Sequence, residues 1–593
     1  MGQEMRLLAY SKSISAMQVM SILSCFLATT IFEVSVFELP TKGILIYNIV
    51  AFFSIFILYI FCNINYLKSV CKPGDIILPV ALGVLCLFVS LSMYNSYLSQ
   101  YFSFSPIFDI DSHNKWHQDT SFNVSIIRSI INFGYPSVGL DGHRLTAYHI
   151  LTHYFDAALL TVSGLDPYNS YGFTSLTKAS IFVCLCLVLC QSLSTGKFRQ
   201  CALFLISSPL IISSWHSVAS HALWMPSVLL IIISTFTFRF VSQRESPSVK
   251  EYIIISTLSV ILLLGKISTG LAYIMIVLSI SFFRDYRKAR MYVCAAFLLI
   301  FILSYQRFIN YSYGIGSEIS LDSLSFASLF DLIYSSGIRY ASAIPVLISL
   351  NGVLFYVTGN RSILRVIFGI TVSFLLICAL SIVMKSFGWS DKFYFFQGVY
   401  ATSILIFIVA LSYNQGVIQT DSNNIGFAFS LMALSFLSFF VYQPLLSLSE
   451  FSFKRIDNKI EYIKNEKIKE AGEVSNGNLS NLIKYIEKVK EDNGLGNSRL
   501  AIFIPKSIVQ NEFLKNNDKR RNNFYTMNIY ASTGIQIIRG VIGNERAYGF
   551  ANYNNDSRLV DSIDYSEACK VYDVSGIITI ASYTHQKYYY HKC

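Results

Sequence analysis

The chain has 593 residues, of which 53% are hydrophobic and only 14% are charged, and its mean hydropathy is +0.50. Soluble globular domains carry about a quarter charged residues, so this composition excludes an ordinary soluble protein and indicates a membrane protein. The net charge of +11 does not indicate nucleic-acid binding. Much of the Lys and Arg excess lies in short loops between apolar runs, where basic residues set membrane topology.

Apolar runs of membrane-spanning length recur from Ser13 to Ser447 and predict about thirteen transmembrane helices, the first an uncleaved span. Basic residues occupy alternate loops, which predicts a cytoplasmic N-terminus. The string GKISTG (265–270) interrupts an apolar stretch and predicts two short helices joined by a turn. The predicted spans are 13–37, 43–67, 75–96, 173–193, 200–214, 222–241, 251–266, 269–284, 289–306, 341–358, 364–385, 395–413 and 425–447.

This topology places the segments 97–172, 307–340 and 448–593 outside the membrane on one side. All nine histidines fall on that side, so polar chemistry is concentrated on one face. The tail is Lys- and Glu-rich at first and then contains strand-like apolar runs at 500–505, 535–542 and 574–582. We therefore predict a transmembrane domain over 1–447 and an extracytoplasmic α/β domain over 448–593.

The external segment 97–172 gathers ionisable residues in the string DIDSHNKWHQDTSF (109–122). The next stretch, 120–133, is amphipathic but too short and too polar to span, so it predicts an interfacial helix. A second helix, from about Thr146, would place His149, His153 and Asp156 on one face. This location at the boundary of water and lipid suits a substrate with a lipid tail and a polar head.

These features resemble membrane glycosyltransferases of the GT-C fold, which transfer a sugar from a polyprenyl-phosphate-linked donor. The string FDID, with Asp109 and Asp111, has the form of the acidic pair that these enzymes carry in an early external loop. The fragment HQDTSFNVSIIRSIINFGYPSVGLDG (117–142) resembles uncharacterised bacterial members, in which an Asp matching Asp119 opens the helix. The resemblance implies an inverting enzyme of the bacterial inner membrane that glycosylates a cell-surface glycan or lipid-linked acceptor. The Trp-Trp-Asp-Tyr-Gly motif of oligosaccharyltransferases is absent, which disfavours transfer to protein asparagine.

Sugar transfer from a phosphate carrier needs a carboxylate that takes the acceptor's proton or holds a metal, and cations that stabilise the departing phosphate. The predicted catalytic residues are Asp119, Asp109 and Asp111, although Asp119 is equally well placed to cap its helix. The predicted substrate-binding residues are His117, His149, His153, Lys266, Arg307, Arg339 and Lys385. Each basic residue has the alternative of contacting lipid headgroups. The sequence does not fix a cofactor; Asp109, Asp111 and His113 would suit a divalent cation such as Mg²⁺ or Mn²⁺.

Two other functions stay open: an O-antigen or capsule polymerase or ligase, and a transporter or lipid-linked glycan flippase. A transporter would place ionisable residues at the membrane midplane and would show Gly/Pro-broken helices in matched halves. The sequence instead collects its charges at the external boundary and shows no such halves, which disfavours a transporter. Among the cysteines, Cys184, Cys186 and Cys190 are interpreted as small hydrophobes within an apolar run. Cys569 and Cys593 are the only cysteines of the tail, and they would form a disulfide in an oxidising compartment or remain free thiols.

Overall fold

The computed structural model is predominantly helical and ends in a small mixed sheet. The residues that it describes are 16–37, 39–63, 77–93, 118–139, 151–193, 221–242, 247–313, 338–383, 389–413, 478–513, 524–538 and 560–593.

Helices form the membrane part because lipid offers no partner for backbone N–H and C=O groups, and a helix bonds them within itself. Five described helices contain windows long and apolar enough to cross a membrane: Gln18–Ser35, Thr41–Ile60, Pro167–Ser192, Ile267–Asp285 and Arg361–Ala379. The helices are α1 (Ala16–Val36), α2 (Thr41–Asn63), α3 (Ile77–Met93), α4 (Gln118–Phe133), α5 (Leu151–Ser163), α6 (Pro167–Leu193), α7 (His221–Ser242), α8 (Val249–Gly265), α9 (Ile267–Asp285), α10 (Ala289–Tyr313), α11 (Ile338–Thr358), α12 (Arg361–Val383) and α13 (Trp389–Tyr413).

The chain is thus a helical membrane protein. Helices α1–α3 and α6–α13 coincide in sequence with eleven of the predicted spans, but only five of them contain the stretches given above, so the number of transmembrane spans stays a prediction. The other two, 200–214 and 425–447, lie outside the described residues. Helix α4 occupies the predicted interfacial stretch. Helix α5 begins at Leu151, and the predicted start of that helix at Thr146 lies outside the described residues.

The predicted break in GKISTG is confirmed, because α8 ends and α9 begins on either side of Lys266. Lys266 is extended, with φ −156° and ψ 123°. Its N–H still donates to Leu262 O (2.9 Å) and its carbonyl accepts from Gly270 N (2.9 Å), so the break leaves neither group unbonded. Gly270 approaches the backbone of Leu263 too closely for a Cβ, and this contact requires glycine at the turn.

Helices α1 and α6 run antiparallel. Near the start of α1, Gln18 donates to Val188 O (3.1 Å); near its end, Glu33 accepts from Thr177 (2.8 Å). Because the two helices run in opposite directions, the position of a buried polar group along either helix shows which end of the helical bundle it lies near. The end that holds Glu33 and the first half of α6 is called here the docked end, because the C-terminal segment contacts it.

In the C-terminal segment, 478–593, the described residues 478–513, 524–538 and 560–593 form a four-stranded sheet in the order β2-β1-β3-β4. Strand β1 pairs in parallel with β2 and β3, and β4 pairs antiparallel with β3. The predicted strand-like runs correspond to the first three strands. The edge strand KYYYHK was not predicted, because its half-exposed tyrosines and lysines give no apolar run. The elements are α14 (Asn478–Asn493), β1 (Leu500–Phe503), α15 (Lys506–Ile508), α16 (Phe524–Thr533), β2 (Gln536–Ile538), α17 (Tyr565–Tyr572), β3 (Gly576–Ser582) and β4 (Lys587–Lys592).

A disulfide joins Cys569 on α17 to the C-terminal Cys593, with a Cα–Cα distance of 5.7 Å. This confirms the predicted pairing over the alternative of two free thiols. Every other cysteine whose side chain the structure describes is a buried free thiol within the helices of the membrane part.

Candidate functional site

The site is built around helix α4, which carries Asp119 in its first turn. From Ser121 to Ile130 every residue of α4 is buried, the polar ones included. The amphipathic sequence accounts for burial of the apolar face of α4, which is expected to pack against the protein, but not for burial of its polar face. The polar face is covered as well, because it bonds to membrane helices on one side and to the C-terminal segment on the other.

On the membrane side, Asn123 connects α4 to α5 and α6. Its Oδ1 lies 3.0 Å from His153 Nε2, and its Nδ2 donates to Tyr171 OH (3.2 Å). A carboxamide oxygen can only accept, so Nε2 carries the proton in this bond. His153 has no exposed surface, and Asn123 is 2% exposed. The predicted substrate contact, His153, is therefore buried within the protein and helps to hold α4.

On the other side, Arg128 connects α4 to the C-terminal segment. Its Nε donates to Ala531 O at the end of α16 (2.7 Å), and its Nη2 lies 2.6 Å from Asp166 Oδ2. Asp166 also accepts from the N–H groups of Tyr168 and Asn169, at 3.0 Å each, and so caps the start of α6. One guanidinium thus joins α4, α6 and α16.

The Gly/Pro loop after α4 completes this docking. Gly139 has φ +75°, and the ring of Tyr530 from α16 occupies the space that a Cβ would need. The carbonyl of Gly139 accepts from Ile537 N on β2 (2.9 Å). The loop therefore has glycine at this position for two reasons: its backbone conformation and its contact with an aromatic ring.

Beneath α4, the buried carboxylate of Asp156 bonds to two partners. Its Oδ2 lies 2.5 Å from Lys178 Nζ on α6, and its Oδ1 accepts from Tyr47 OH on α2 (3.2 Å). Trp224 Nε1 donates to the backbone oxygen of Lys178 (2.8 Å), which brings α7 into the same network. Isolated charges are very costly in an apolar interior, and this pairing neutralises both.

A second buried cluster lies at the docked end between α1, α2 and α6. Asn48 Nδ2 donates to Glu33 Oε2 (2.6 Å) and to Thr30 (3.0 Å). Thr177 Oγ1 lies within hydrogen-bond distance of both Glu33 Oε1 (2.8 Å) and Asn48 Oδ1 (2.9 Å). Glu33, Asn48 and Thr177 have no exposed surface. Thr177 and Lys178 are adjacent, so the Glu33 cluster and the Asp156 ion pair meet on α6.

Lys266, predicted to bind the substrate, is buried at the break between α8 and α9 and is 5% exposed. The neighbouring Gly265 faces Pro226 of α7, and Gly398 of α13 packs against the carbonyl of Ser268. Pro226 directly follows Met225, whose N–H bonds to Thr152 of α5 (3.4 Å). The helix break at Lys266 therefore packs against α7, and α7 also contacts α5.

The other predicted site residues fall into two groups. Asp119, Arg307 and Arg339 lie in helices whose backbone is described there, but their side chains are not. The remaining ones lie outside the described residues, and they are Asp109, Asp111, His113, His117, His149 and Lys385. The predicted acidic pair and the predicted Asp109/Asp111/His113 metal set stay predictions.

Among the described residues, one group of metal-ligating side chains comes together: Cys25 of α1, Cys86 of α3 and Cys184 of α6. Their sulfur atoms all lie within 4.8 Å of one another, and all three are buried. Cys186 and Cys190 are not part of this group. Of the three cysteines along α6, only Cys184 belongs to this group, and the interpretation of the three as small hydrophobes stays a prediction.

Sequence reasoning missed Arg128, Lys178 and Glu33 as parts of the site. Glu33 and Lys178 each had a usable signal, because an ionisable residue inside an apolar run is costly and marks a functional or paired position. Arg128 had no such signal. Its partner, Ala531, is 403 positions away and contributes only a backbone oxygen.

No known family model matches this chain, and none of the curated proteins matches it.

Proposed function

We propose that this chain is an inverting membrane glycosyltransferase that moves a sugar from a polyprenyl-phosphate-linked donor to a cell-surface glycan or lipid-linked acceptor. The proposal places it in a bacterial inner membrane, with the N-terminus in the cytoplasm and the C-terminal segment outside. Asp119 is the proposed general base or metal ligand. Asp109 and Asp111 are the acidic pair, and a divalent cation, Mg²⁺ or Mn²⁺, would be held by these carboxylates with His113.

The observation that carries the proposal is the rigid mounting of α4. Asn123 fixes the helix to the membrane bundle, and Arg128 fixes it to the C-terminal segment. Catalytic groups act efficiently when the elements that carry them are held in place by packing and by supporting hydrogen bonds. A carboxylate in the first turn of such a helix would be positioned accurately, and the helix dipole favours its ionised form.

The disulfide supports the proposed orientation. Disulfides persist in oxidising compartments, such as a bacterial periplasm, and are rare in the cytosol. The C-terminal segment that holds Cys569 and Cys593 contacts α4, so the docked end would face the same compartment. The polar residues of the bundle would then lie on the external side, where a flipped lipid-linked sugar is available.

In this proposal the residues of the Asp156 network are positioning groups. His153, Asp156 and Lys178 already bond to protein partners, so they hold α4 and α5 and do not touch the sugar. Lys266, at the helix break that packs against α7, is a proposed phosphate contact. The predicted cations Arg307, Arg339 and Lys385 would complete the binding of the departing phosphate.

The test compares surface glycans from cells with the gene, without it, and complemented with Asp119→Asn. Glycan and lipid-linked intermediates are measured by mass spectrometry, with Asp492→Asn on the exposed face of α14 as the control for loss of a carboxylate. The proposal expects one sugar to be absent without the gene and with Asp119→Asn, but present with Asp492→Asn. Full-length glycans of normal composition in the deletion strain would contradict it. Shorter chains of unchanged composition would favour the polymerase or ligase.

A transporter or flippase is the second candidate, and a specific observation favours it. Glu33 and the Asp156–Lys178 pair are ionisable groups buried among membrane helices, where proton and ion pathways use such residues. The break at Lys266 also gives the broken helix that transporters use at binding sites. In that case the deletion strain would accumulate a complete lipid-linked glycan on the inner leaflet, where an external glycosidase cannot reach it.

A further inference from the structure

Three thiols from three different helices meet inside the helical bundle. Cys25 of α1, Cys86 of α3 and Cys184 of α6 have no exposed surface, and their sulfur atoms all lie within 4.8 Å of one another. The three residues are far apart in the sequence, so no spacing along a single helix brings them together. The packing of α1, α3 and α6 against one another does so.

The backbones of the three helices are positioned to bring these thiols together. A Cβ on Gly83 of α3 would lie 2.9 Å from the backbone nitrogen of Cys25, so this close approach of α3 to α1 requires glycine. Gly83 and Cys86 are three positions apart and therefore lie on the same face of α3. On the other side, Cys25 Sγ donates to the carbonyl of Ser180 (3.7 Å), one turn before Cys184 on α6.

The spacing of the sulfur atoms suits a single metal ion. Atoms that are at most 4.8 Å apart share a point within about 2.8 Å of each of them, and metal–sulfur bonds in zinc sites are about 2.3 Å long. An ion at that point would need only small shifts of the three side chains. Cysteine sulfur is a soft ligand, and it selects Cu(I), zinc or iron–sulfur clusters.

The number of ligands and the burial of the group favour Cu(I) among these metals. Structural zinc is almost always bound by four ligands, and iron–sulfur clusters also use four cysteines. No carboxylate or histidine joins the three thiols among the described residues. A net charge is costly in an apolar interior. A monovalent ion leaves the site neutral when one thiol loses its proton, whereas Zn²⁺ would require the loss of two.

A hydroxyl group beside the thiols supports this assignment. Thr29, one turn after Cys25 on α1, is buried and lies close enough to the Cys25 thiol to interact with it. Its Oγ1 makes no hydrogen bond to the other described residues. A metal-bound thiolate at Cys25 would accept a hydrogen bond from this hydroxyl. Such outer hydrogen bonds orient the ligands of metal sites and strengthen metal binding.

We propose that Cys25, Cys86 and Cys184 bind one Cu(I) ion, which joins α1, α3 and α6. One thiol proton leaves for each Cu⁺ bound, so the net charge of the site stays the same and no electron is transferred. The ion would enter while the helices assemble, because the site is closed in the folded protein, as structural metal sites are. The proposal does not depend on the function proposed above.

The test measures copper in the full-length protein, purified in detergent from cells grown with added copper. The wild-type protein should hold about one copper ion per chain, and X-ray absorption should show Cu(I) with only sulfur neighbours. Cys86→Ala removes a ligand. Cys186→Ala is the matched control, because it removes a buried thiol of α6 that lies outside the group.

Relative affinity is measured as the concentration of a Cu(I) chelator that removes half of the copper. Cys86→Ala should weaken binding by more than the roughly 10–100-fold that outer partners of a metal site contribute, and Thr29→Val by about tenfold. Cys186→Ala should change it by less than about twofold, because it removes neither a ligand nor an outer partner.

A wild-type protein without copper would overturn the site and would show that the three thiols are only packed together. Equal retention of copper by Cys86→Ala and Cys186→Ala would also overturn it, because the metal would then be bound elsewhere. Zinc at these cysteines in place of copper would show that the choice of metal is wrong. If Cys86→Ala fails to fold, Cys25→Ser and Cys184→Ser are compared with Cys186→Ser, and equal copper contents would contradict the proposal.

Discussion

The carboxylate of Asp156 on α5 lies 2.5 Å from the ammonium group of Lys178 on α6, and both side chains are buried among membrane helices. The side chain of Lys178 is only 4% exposed and that of Asp156 has no exposed surface. The pair therefore holds two helices together only while both partners are present.

Removing one partner of this pair should be far more harmful than removing both. Lys178→Met or Asp156→Asn alone leaves a buried group without its partner, and the expected loss of stability is about 3–5 kcal/mol. The double variant should recover a large part of that loss. Thermal unfolding of the purified protein in detergent measures the effect, with Lys490→Met, which breaks the surface pair with Glu487, as the control expected to cost under about 1 kcal/mol. Additive losses in the double variant would show that the two charges are not coupled.

The contact of Gly139 with Tyr530 should make docking of the C-terminal segment sensitive to a single methyl group. Gly139→Ala places a Cβ in the Tyr530 ring and also forces alanine into a left-handed conformation. Gly134→Ala is the matched control: Gly134 has φ +76° but open space around its Cβ position, so it incurs only the backbone strain of roughly 1 kcal/mol. Limited proteolysis should release the C-terminal segment faster from Gly139→Ala than from Gly134→Ala. Equal rates would mean that the ring contact contributes nothing to docking.

The sequence predicted the helical membrane part well because long apolar runs have few alternatives in lipid. It also located the helix break at Lys266, since Gly, Ser and Thr cluster there within an otherwise apolar stretch. The three inner strands were visible as apolar runs. Strand β4 was not, because an edge strand is half exposed and its residues follow no apolar pattern.

The candidate site was harder to predict because its contacts are long-range. Amphipathic spacing identified α4 but could not show that its polar face is buried as well. Arg128 reaches a backbone carbonyl 403 residues away, and no side-chain pattern encodes such a partner. Asp156 and His153, two of the residues predicted to share a polar face, both lie on α5, yet the partner of Asp156, Lys178, lies on the next helix and follows no spacing that a single helix imposes.

The Cys569–Cys593 disulfide should report the compartment of the C-terminal segment. Maleimide labelling of denatured protein from intact cells should modify neither cysteine before reduction and both after it, whereas Cys569→Ser should free Cys593 for labelling.

Alkaline phosphatase fused after Cys593 should be active, and the same enzyme fused after Arg287 should be inactive. Labelling without reductant, or the reverse pattern of fusions, would place the docked end in the cytosol. Loss of the disulfide should destabilise the segment by about 2–4 kcal/mol.

The β3–β4 hairpin should loosen in acid through Glu512. Partial burial raises the pKa of this carboxyl, but hydrogen bonds from Thr584 N–H, Ser582 Oγ–H and Tyr583 N–H outweigh burial and lower it below the usual value. A lowered pKa in the folded state means that stabilisation is complete above the unfolded-state pKa, which is about 4.3 for Glu, and is lost as the pH falls through the lower folded value. Hydrogen exchange in 582–586, referenced to an unstructured peptide at each pH, should lose protection over that acidic range. In Glu512→Gln, the amides of 582–586 should be less protected from exchange at neutral pH, and their protection should no longer depend on pH. If the pH dependence of exchange in this variant matched that of the wild type, another group would cause the loss of protection in acid.

Asp119 was predicted either to be a catalytic carboxylate or only to cap its helix, and the structure places it as the second residue of α4, which begins at Gln118. There Asn keeps a side-chain acceptor and loses only the interaction of the charge with the helix dipole, about 0.3–1 kcal/mol, so Asp119→Asn should keep the fold in either case. If Asp119 is the base or a metal ligand, the amide cannot take the acceptor's proton and ligates metals poorly, and sugar transfer should fall by about 10²–10⁴-fold. Asp119→Ala removes both the cap and the charge, so it should also lower stability by roughly 1 kcal/mol. Transfer rates on membranes and unfolding of the purified variants separate the two roles: a cap predicts that Asn is active and only Ala is impaired. Should Asp119→Asn, Asp109→Asn and Asp111→Asn all retain activity, none of these three carboxylates is the base, and the polymerase and transporter alternatives gain weight.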